Sequence, residues 1–158
     1  MIHPVIRSAK TEELEAIRNL AIETIEHTCS HDYSPDQLNA WTAAIRGNTE
    51  RWEQSIGNQY FLVAEIDQRI VGFASLDQCY VDFMYIHQDF TRKGIAKTLY
   101  KRLEIQARSV GCTLLTSHVS KTALPFFEKV GFSIIREKIQ AIKGVTISNY
   151  QMEKILIE

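Results

Sequence analysis

A buried strand that leads through a short polar turn into an amphipathic helix constrains the fold of this chain more than any other feature. Residues Tyr80–Ile86 are mostly aromatic or β-branched and include one acid, Asp82, which predicts a strand covered on both faces. From residue 95 onward the apolar side chains recur at helical spacing and most charged side chains lie on the other side. The predicted apolar face consists of Ile95, Leu99, Leu103, Ala107 and Val110. A strand and a helix in succession indicate a mixed α/β domain.

The turn between this strand and this helix, residues 91–96, has the composition of a phosphate site. Gly94 and Ala96 allow close approach to the backbone, and the first N–H groups of the helix have no partner within it. Arg92 and Lys93 add positive charge where a helix N-terminus already favours an anion. A solvated turn, in which Gly94 serves only the backbone geometry, is the alternative.

The rest of the pattern predicts one domain spanning residues 1–158. Thr11 is predicted to cap a first helix that ends near Thr28, and Ser34 to cap a second helix that begins at Pro35 and stops at Gly47. Further helices are predicted at residues 49–56 and 121–130. Strands are predicted at residues 2–7, 59–66, 69–76, 113–119, 132–142 and 145–157.

Charge and cysteine content limit the classes of function. With 18 basic and 19 acidic side chains the net charge is −1, which gives no overall attraction to nucleic acid or to a membrane surface. No secretion signal is recognisable, and no apolar run is long enough to cross a bilayer. Cys29, Cys79 and Cys112 are far apart in the sequence, which favours reduced thiols and a cytoplasmic location over a disulfide framework.

Two segments together resemble motifs A and B of the GCN5-related N-acetyltransferases (GNAT). The first is the turn at residues 91–96, and the second is the run from Ser120 to Phe132, which reads SKTALPFFEKVGF. The segment at residues 31–35 and Trp41 are similar to the YafP-like branch of that family, so the resemblance covers nearly the whole chain. It implies an α/β GNAT fold, with a mixed, mostly antiparallel sheet flanked by helices and splayed near Asp82 and Ser120.

The resemblance also implies an activity and a cofactor site. The enzyme would move an acetyl group from acetyl-CoA, as co-substrate, to a primary amine by direct attack, with no metal. The pantetheine arm would run along the predicted strand and the phosphates would bind the turn. The implied contacts are Phe83, Met84, Tyr85, Ile86, Arg92, Lys93, Gly94, Ile95, Ala96, Thr98, Ser120 and Phe127. Thr91 departs from the family, which usually has Arg or Gln there, so Arg92 would supply the charge. Ser120 would bond the arm, cap the following helix, or do both.

Asp82 is the predicted catalytic base. An acid among apolar strand residues is unfavourable unless it is paired, and desolvation raises the pKa of a carboxyl group toward the range that a working base needs. A structural salt bridge is the alternative. Phe127 stands where the family often has a tyrosine that protonates the departing thiolate, and phenylalanine cannot donate a proton. Tyr33 and Tyr150 are the predicted substitutes, and each is expected to be dispensable.

The acceptor remains open among antibiotics, amino acids, polyamines and peptide N-termini, because acceptor pockets come from variable loops. His118 is either a proton carrier or a packed histidine. The spacing of His27 and His31 alone does not indicate a metal site. Assembly as a homodimer is left open.

Two alternatives to an enzyme are a non-catalytic module that binds or senses acyl-CoA, for which Phe127 is the best evidence, and a protein-interaction domain built on the first two helices.

Overall fold

The computed structural model describes residues 3–157, and within them seven strands form one mixed sheet with helices on both faces. The strands are β1 (Val5–Ser8), β2 (Tyr60–Ile66), β3 (Arg69–Asp77), β4 (Tyr80–Ile86), β5 (Leu114–Val119), β6 (Ser133–Ile142) and β7 (Val145–Ile155). The helices are α1 (Leu14–Thr28), α2 (Pro35–Gly47), α3 (Thr49–Asn58), α4 (Ile95–Ser109) and α5 (Leu124–Lys129). This is the α/β architecture that the resemblance implies.

The strand order explains where the sheet can open. The order is β1-β2-β3-β4-β5-β7-β6, and every neighbouring pair is antiparallel except β4 and β5. Short connections keep β2, β3 and β4 antiparallel, whereas the chain crosses over through α4 before it enters β5. The single parallel junction therefore lies in the middle of the sheet, beside the strand that the sequence singled out.

Each face of the sheet has its own apolar core. On β2, Phe61 and Val63 pack with α1, α2 and α3, whereas Leu62 and Ala64 pack with α4 on the opposite face. All four are buried, so the strand is apolar throughout and does not alternate with polar residues. Because both faces are covered, ligands can reach β4 only where its edge is free.

The first helix starts later than predicted. Thr11 begins a 3-10 turn, α1 starts at Leu14, and the side chain of Glu13 accepts a hydrogen bond from the backbone N–H of Lys10 at 2.9 Å. The prediction of Thr11 as the cap was wrong, because a carboxylate reaching back from the third position satisfies the turn instead. Of the predicted first strand, residues 5–7 are confirmed, and Ile2 lies outside the described residues.

Two other helices are shorter than their predicted limits. Val110 was placed on the buried face of α4, but it is 60% exposed because the helix ends at Ser109 and Gly111 follows with φ of 90°. The helix predicted at residues 121–130 covers only α5. Proline is tolerated only at the start of a helix, so Pro125 at its second residue marks how early α5 can begin.

The structure corrects the expectation that all three cysteines are reduced. Cys79 and Cys112, 33 residues apart in the sequence, form a disulfide. Cys79 lies in the turn before β4 and Cys112 lies in the turn after α4, and the β4–β5 pairing brings these two turns together. Cys29 is free and buried. Spacing in the sequence gave no sign of this pairing, since it depends on which strands are neighbours.

Candidate active site

A cleft of about 1200 Å³ opens where β4 and β5 separate. The two strands pair only at Tyr80 with Thr116 and at Val81 with Ser117. The hydroxyl of Ser117 donates a hydrogen bond to the carbonyl of Val81 at 2.7 Å, which fastens the last paired position. Beyond it the strands diverge, and the prediction of a splay near Asp82 is confirmed.

A bulge in β4 lies at the same point. Val81 pairs with Leu76 and Phe83 pairs with Ser75 on β3, so Asp82 is left between them without a partner on that strand. A bulge bends its strand and increases the local twist, which turns the second half of β4 away from β5. The sheet therefore opens because of a register irregularity in the strand that forms the cleft wall.

The second half of β4 forms one wall of the cleft. Residues 83–86 all line it, as the sequence predicts for Phe83, Met84, Tyr85 and Ile86. Their antiparallel partner β3 occupies one edge of the strand, and among the described residues no strand pairs with the other edge beyond Val81. Backbone groups on that edge are available to an extended ligand that runs alongside like an added strand.

The turn before α4 forms the end of the cleft. Arg92 and Gly94 have φ of 60° and 81°, and Gly94 is the N-cap residue without any side-chain cap. The N–H groups of Ile95, Ala96 and Lys97 are thus at the free end of a 15-residue helix. Three basic side chains with exposed positions, Arg92, Lys93 and Lys97, surround this end, and Arg92 and Lys97 line the cleft.

Two of the predicted contacts in this turn do not line the cleft. Lys93 and Thr98 are both exposed and lie outside its walls. The hydroxyl of Thr98 donates to the carbonyl of Gly94 at 2.9 Å, within the first turn of α4. The sequence indicated where Lys93 and Thr98 lie along the chain, but not that the hydroxyl of Thr98 bonds to the helix backbone.

Ser120 and Phe127 both line the opposite wall. The Oγ atom of Ser120 accepts a hydrogen bond from the N–H of Ala123 at 3.1 Å, so this serine caps the turn that precedes α5. Phe127 is 3% exposed and packs edge-on against Phe126 and Phe132, with ring centroids 5.7 and 5.1 Å away. The helix that Ser120 was expected to cap begins at Leu124, with Ala123 as its N-cap, so Ser120 caps only the preceding turn; its hydroxyl proton is still available to a ligand.

Asp82 is held by two side chains, one from α3 and one from the residue that follows α3. Its carboxylate oxygens accept hydrogen bonds from Arg51 at 3.0 and 3.3 Å and from Gln59 at 2.7 Å. The side chain of Asp82 is 8% exposed, whereas that of Arg51 is 47% exposed, and the guanidinium also lies 5.0 Å above the ring of Phe83. The salt bridge that the sequence analysis left as an alternative is therefore present beside the bulge.

The two tyrosines predicted as substitute acids lie on different sides of the sheet. Tyr33 lines the cleft, where its hydroxyl donates to the carbonyl of Ser148 at 3.0 Å and accepts from the N–H of Lys121 at 2.9 Å. Burial raises the pKa of Tyr33 above its ordinary value. Tyr150 packs against the α4 core, while Asn149 beside it lines the cleft. The structure thus brings Tyr33 to the cleft and leaves Tyr150 outside its lining.

His118 lies on the cleft wall formed by β5, one residue beyond the last paired position. Its ring is edge-on to Tyr80 on β4, with centroids 5.6 Å apart. Desolvation by the walls, helped by Lys138 and Arg136 on β6, holds the pKa of His118 below its ordinary value of 6.5. The imidazole is therefore neutral near pH 7 and able to accept a proton.

Sequence reasoning missed Arg51 and Gln59 altogether. They lie 31 and 23 residues before Asp82, in and just after α3, and no local pattern connects them with β4.

Within residues 3–157 no group of three or more His, Cys, Asp or Glu side chains is arranged to hold a metal ion. Among the same residues, the helices are all too short or too polar to span a membrane.

Comparison with known proteins identifies the family. The acetyltransferase (GNAT) domain model matches residues 29–154. The uncharacterised N-acetyltransferase YafP of Escherichia coli is 31% identical over 147 residues, which are 93% of each chain. A GCN5-related N-acetyltransferase of Rhodopseudomonas palustris superposes with a TM-score of 0.92 at 28% identity, over 99% of this chain and 98% of that one. The PaiA N-acetyltransferase of Thermoplasma acidophilum, in complex with coenzyme A, gives a TM-score of 0.77 at 24% identity, over 98% and 99%.

The fold and the matches together define an acyl-CoA-dependent transferase. The chain belongs to the GCN5-related N-acetyltransferase family, and the sequence-based resemblance is confirmed. It is an acetyl-CoA-dependent N-acetyltransferase of the kind to which YafP belongs.

Proposed function

We propose that this protein transfers the acetyl group of acetyl-CoA to a primary amine by direct attack of the amine on the thioester, without a covalent enzyme intermediate. The observation that carries the proposal is the free edge of β4, which leads from the bulge at Asp82 to the uncapped N-terminus of α4. One end of this path suits a pyrophosphate, and the other end suits a reacting carbonyl.

The residues present fit acetyl-CoA. The N–H groups at residues 95–97 point along the helix axis toward an anion, and Arg92 and Lys97 add charge on the same wall. Charge-assisted hydrogen bonds contribute about 1.5–3 kcal/mol each, and micromolar affinity needs about 8 kcal/mol. Three or four such bonds, with backbone contacts along residues 83–86, are sufficient. When bound, acetyl-CoA supplies the activated acetyl group and the thiolate that leaves.

The reaction forms the amide C–N bond and breaks the thioester C–S bond, so one proton must leave the amine. A primary amine with a pKa of about 10.4 is neutral in only about 1 in 10³ molecules at pH 7, so a proton acceptor near the attacking nitrogen accelerates the step. We retain Asp82, acting through water, as the proposed acceptor, with Arg51 and Gln59 fixing its orientation. His118 is the second group of the cleft able to take this proton, and its ring bonds to no side chain among the described residues.

The leaving thiolate needs no strong acid. Phe127 cannot donate a proton, and the hydroxyl proton of Tyr33 is directed at the carbonyl of Ser148. A thiol of pKa about 8.5 departs as a thiolate without a large penalty near neutral pH. We therefore propose that Tyr33 chiefly fixes the β7 and residue 121 backbone around the cleft, and that Tyr150 contributes no proton.

The test is thiol release from acetyl-CoA over a panel of primary amines, together with calorimetric binding of CoA. Turnover with at least one amine, and amide product seen by mass spectrometry, would support the transferase. The rival is a non-catalytic acyl-CoA-binding module, which Phe127 in the tyrosine position favours. Binding of CoA without turnover on any amine would support that rival, and absence of CoA binding would overturn both. A cytoplasmic location, a single domain over residues 1–158 and a homodimer stay predictions.

A further inference from the structure

The cleft has a second half, formed by α1, α2, α3 and the β6–β7 hairpin, that lies away from the α4 turn. We call it the acceptor half. Its wall is mostly apolar and includes two aromatic rings, Tyr33 and Trp41, packed edge-on with centroids 5.5 Å apart. The other residues of this wall that matter here are Ala44, Ile45, Ile142 and Ile147. Such a wall stabilises an apolar body and offers little to a charged chain.

The charged side chains of the cleft also disfavour a ligand with several positive charges. Among the described residues that line it, Asp82 is the only carboxylate, and that carboxylate is already paired with Arg51 at 3.0 Å. The remaining formally charged lining residues are the cations Arg92, Lys97 and Lys129. A ligand with several ammonium groups would therefore lose water without gaining a free counter-charge among the side chains that line the cleft.

Two polar atoms in the acceptor half are suited to a single amine. The Oγ1 atom of Thr28 and the Oδ1 atom of Asn149 are buried and have no hydrogen-bond partner, and both side chains line the cleft. A buried acceptor without a donor is unfavourable, so a side-chain rotation that brings either oxygen to a ligand N–H would be stabilising. The wall therefore combines a small polar spot with a large apolar surface.

We infer that the acceptor is a primary monoamine carrying an apolar, ring-bearing body, and that polyamines are poor acceptors. This inference rests on the proposed function, because it names the substrate class of the same site. The amine group lies near Thr28 or Asn149 before it reaches the thioester, and the ring packs against Trp41 and its neighbours. The neutral amine attacks the thioester carbonyl and forms the C–N bond, the C–S bond breaks and CoA leaves as the thiolate, and one amine proton passes to the base. The ring-bearing acetyl amide is then released.

The experiment compares kcat/KM for 2-phenylethylamine and spermidine by thiol release at fixed pH and ionic strength. We expect 2-phenylethylamine to be favoured by about tenfold or more, the discrimination that an apolar pocket commonly provides. Equal or better turnover of spermidine would overturn the inference.

A matched pair of variants tests the role of charge. Ala44→Asp places a carboxylate in the acceptor half, whereas Ala43→Asp places the same group one residue away on α2, outside the lining. A free carboxylate near a second ammonium changes binding by about tenfold at short range. We expect the spermidine to 2-phenylethylamine ratio to rise by about that factor in Ala44→Asp and to stay near the wild-type value in Ala43→Asp. An equal response of the two variants would contradict the assigned wall.

A binding measurement distinguishes failure of this inference from failure of the proposed transferase function. If no amine is acetylated, calorimetry with 2-phenylethylamine and spermidine on the CoA-saturated protein still reports on the pocket. Tighter binding of 2-phenylethylamine would support the inference for a non-catalytic module, and tighter binding of spermidine would overturn it.

Discussion

Replacing Gly94 by glutamate and by glutamine isolates the electrostatic part of cofactor binding. Gly94 has φ of 81°, and a Cβ built there meets nothing within 4 Å. Both side chains therefore fit without a clash, and both suffer the same strain of about 1–2 kcal/mol from the left-handed conformation. The two variants differ only in one negative charge beside the free N–H groups of α4. Any difference between them reports on an anion bound at this turn.

The size of the difference follows from Coulomb's law. At about 6 Å in bulk water, one pair of unit charges repels by about 0.7 kcal/mol, and two phosphate charges double this figure. If protein partly shields the site, so that the effective dielectric constant is about 40, the repulsion energy doubles again. We therefore expect acetyl-CoA to bind Gly94→Glu more weakly than Gly94→Gln by about 10- to 100-fold.

The assay is calorimetric titration with CoA at low and high salt, with circular dichroism to show that both variants are folded. The gap should narrow as salt rises, because the screening length falls from about 8 Å at 0.15 M to about 3 Å at 1 M. Arg92→Ala should weaken binding less, since the backbone donors remain. Equal affinities of the two Gly94 variants at low salt would refute a phosphate at this turn.

Further predictions concern proton transfer and stability. Asp82→Asn should lower kcat/KM by about 10²-fold or more near pH 7, and the loss should shrink as the amine deprotonates unaided at higher pH; a constant deficit would show a structural role for this carboxylate. If His118 is the base instead, kcat/KM should rise with pH as its imidazole loses a proton. This rise should lie below pH 6.5, because the pKa of His118 is lowered, and His118→Gln should remove it. Tyr33→Phe should destabilise the fold by about 1–3 kcal/mol, as two hydrogen bonds are lost, yet reduce turnover by less than about tenfold. Tyr150→Phe, the control off the cleft, should leave turnover within the same limit, and a loss of about 10²-fold in either variant would identify a general acid.

The sequence by itself determined the family of this protein and the elements that form the proposed cofactor side. The strand β4, the turn at residues 91–96 and α4 are contiguous, and their signals are local: an apolar run rich in aromatic and β-branched residues, a glycine in the turn and a period near 3.6. Helix N-termini expose their first N–H groups whatever the rest of the fold does. The second motif, from Ser120 to Phe132, is equally local, so the family could be predicted without coordinates, and the proposed position of the CoA site rests on the same local signals.

Only the tertiary structure decided what surrounds Asp82 and which cysteines pair. Arg51 and Gln59 reach this carboxylate because α3 packs over the bulge in β4, and a bulge is a matter of register between two strands. Cys79 meets Cys112 through the parallel pairing of β4 with β5, and the hydroxyl of Tyr33 bonds to backbone 115 and 88 residues away. Contacts of this kind depend on which distant elements become neighbours, and periodicity along the chain carries no information about that choice.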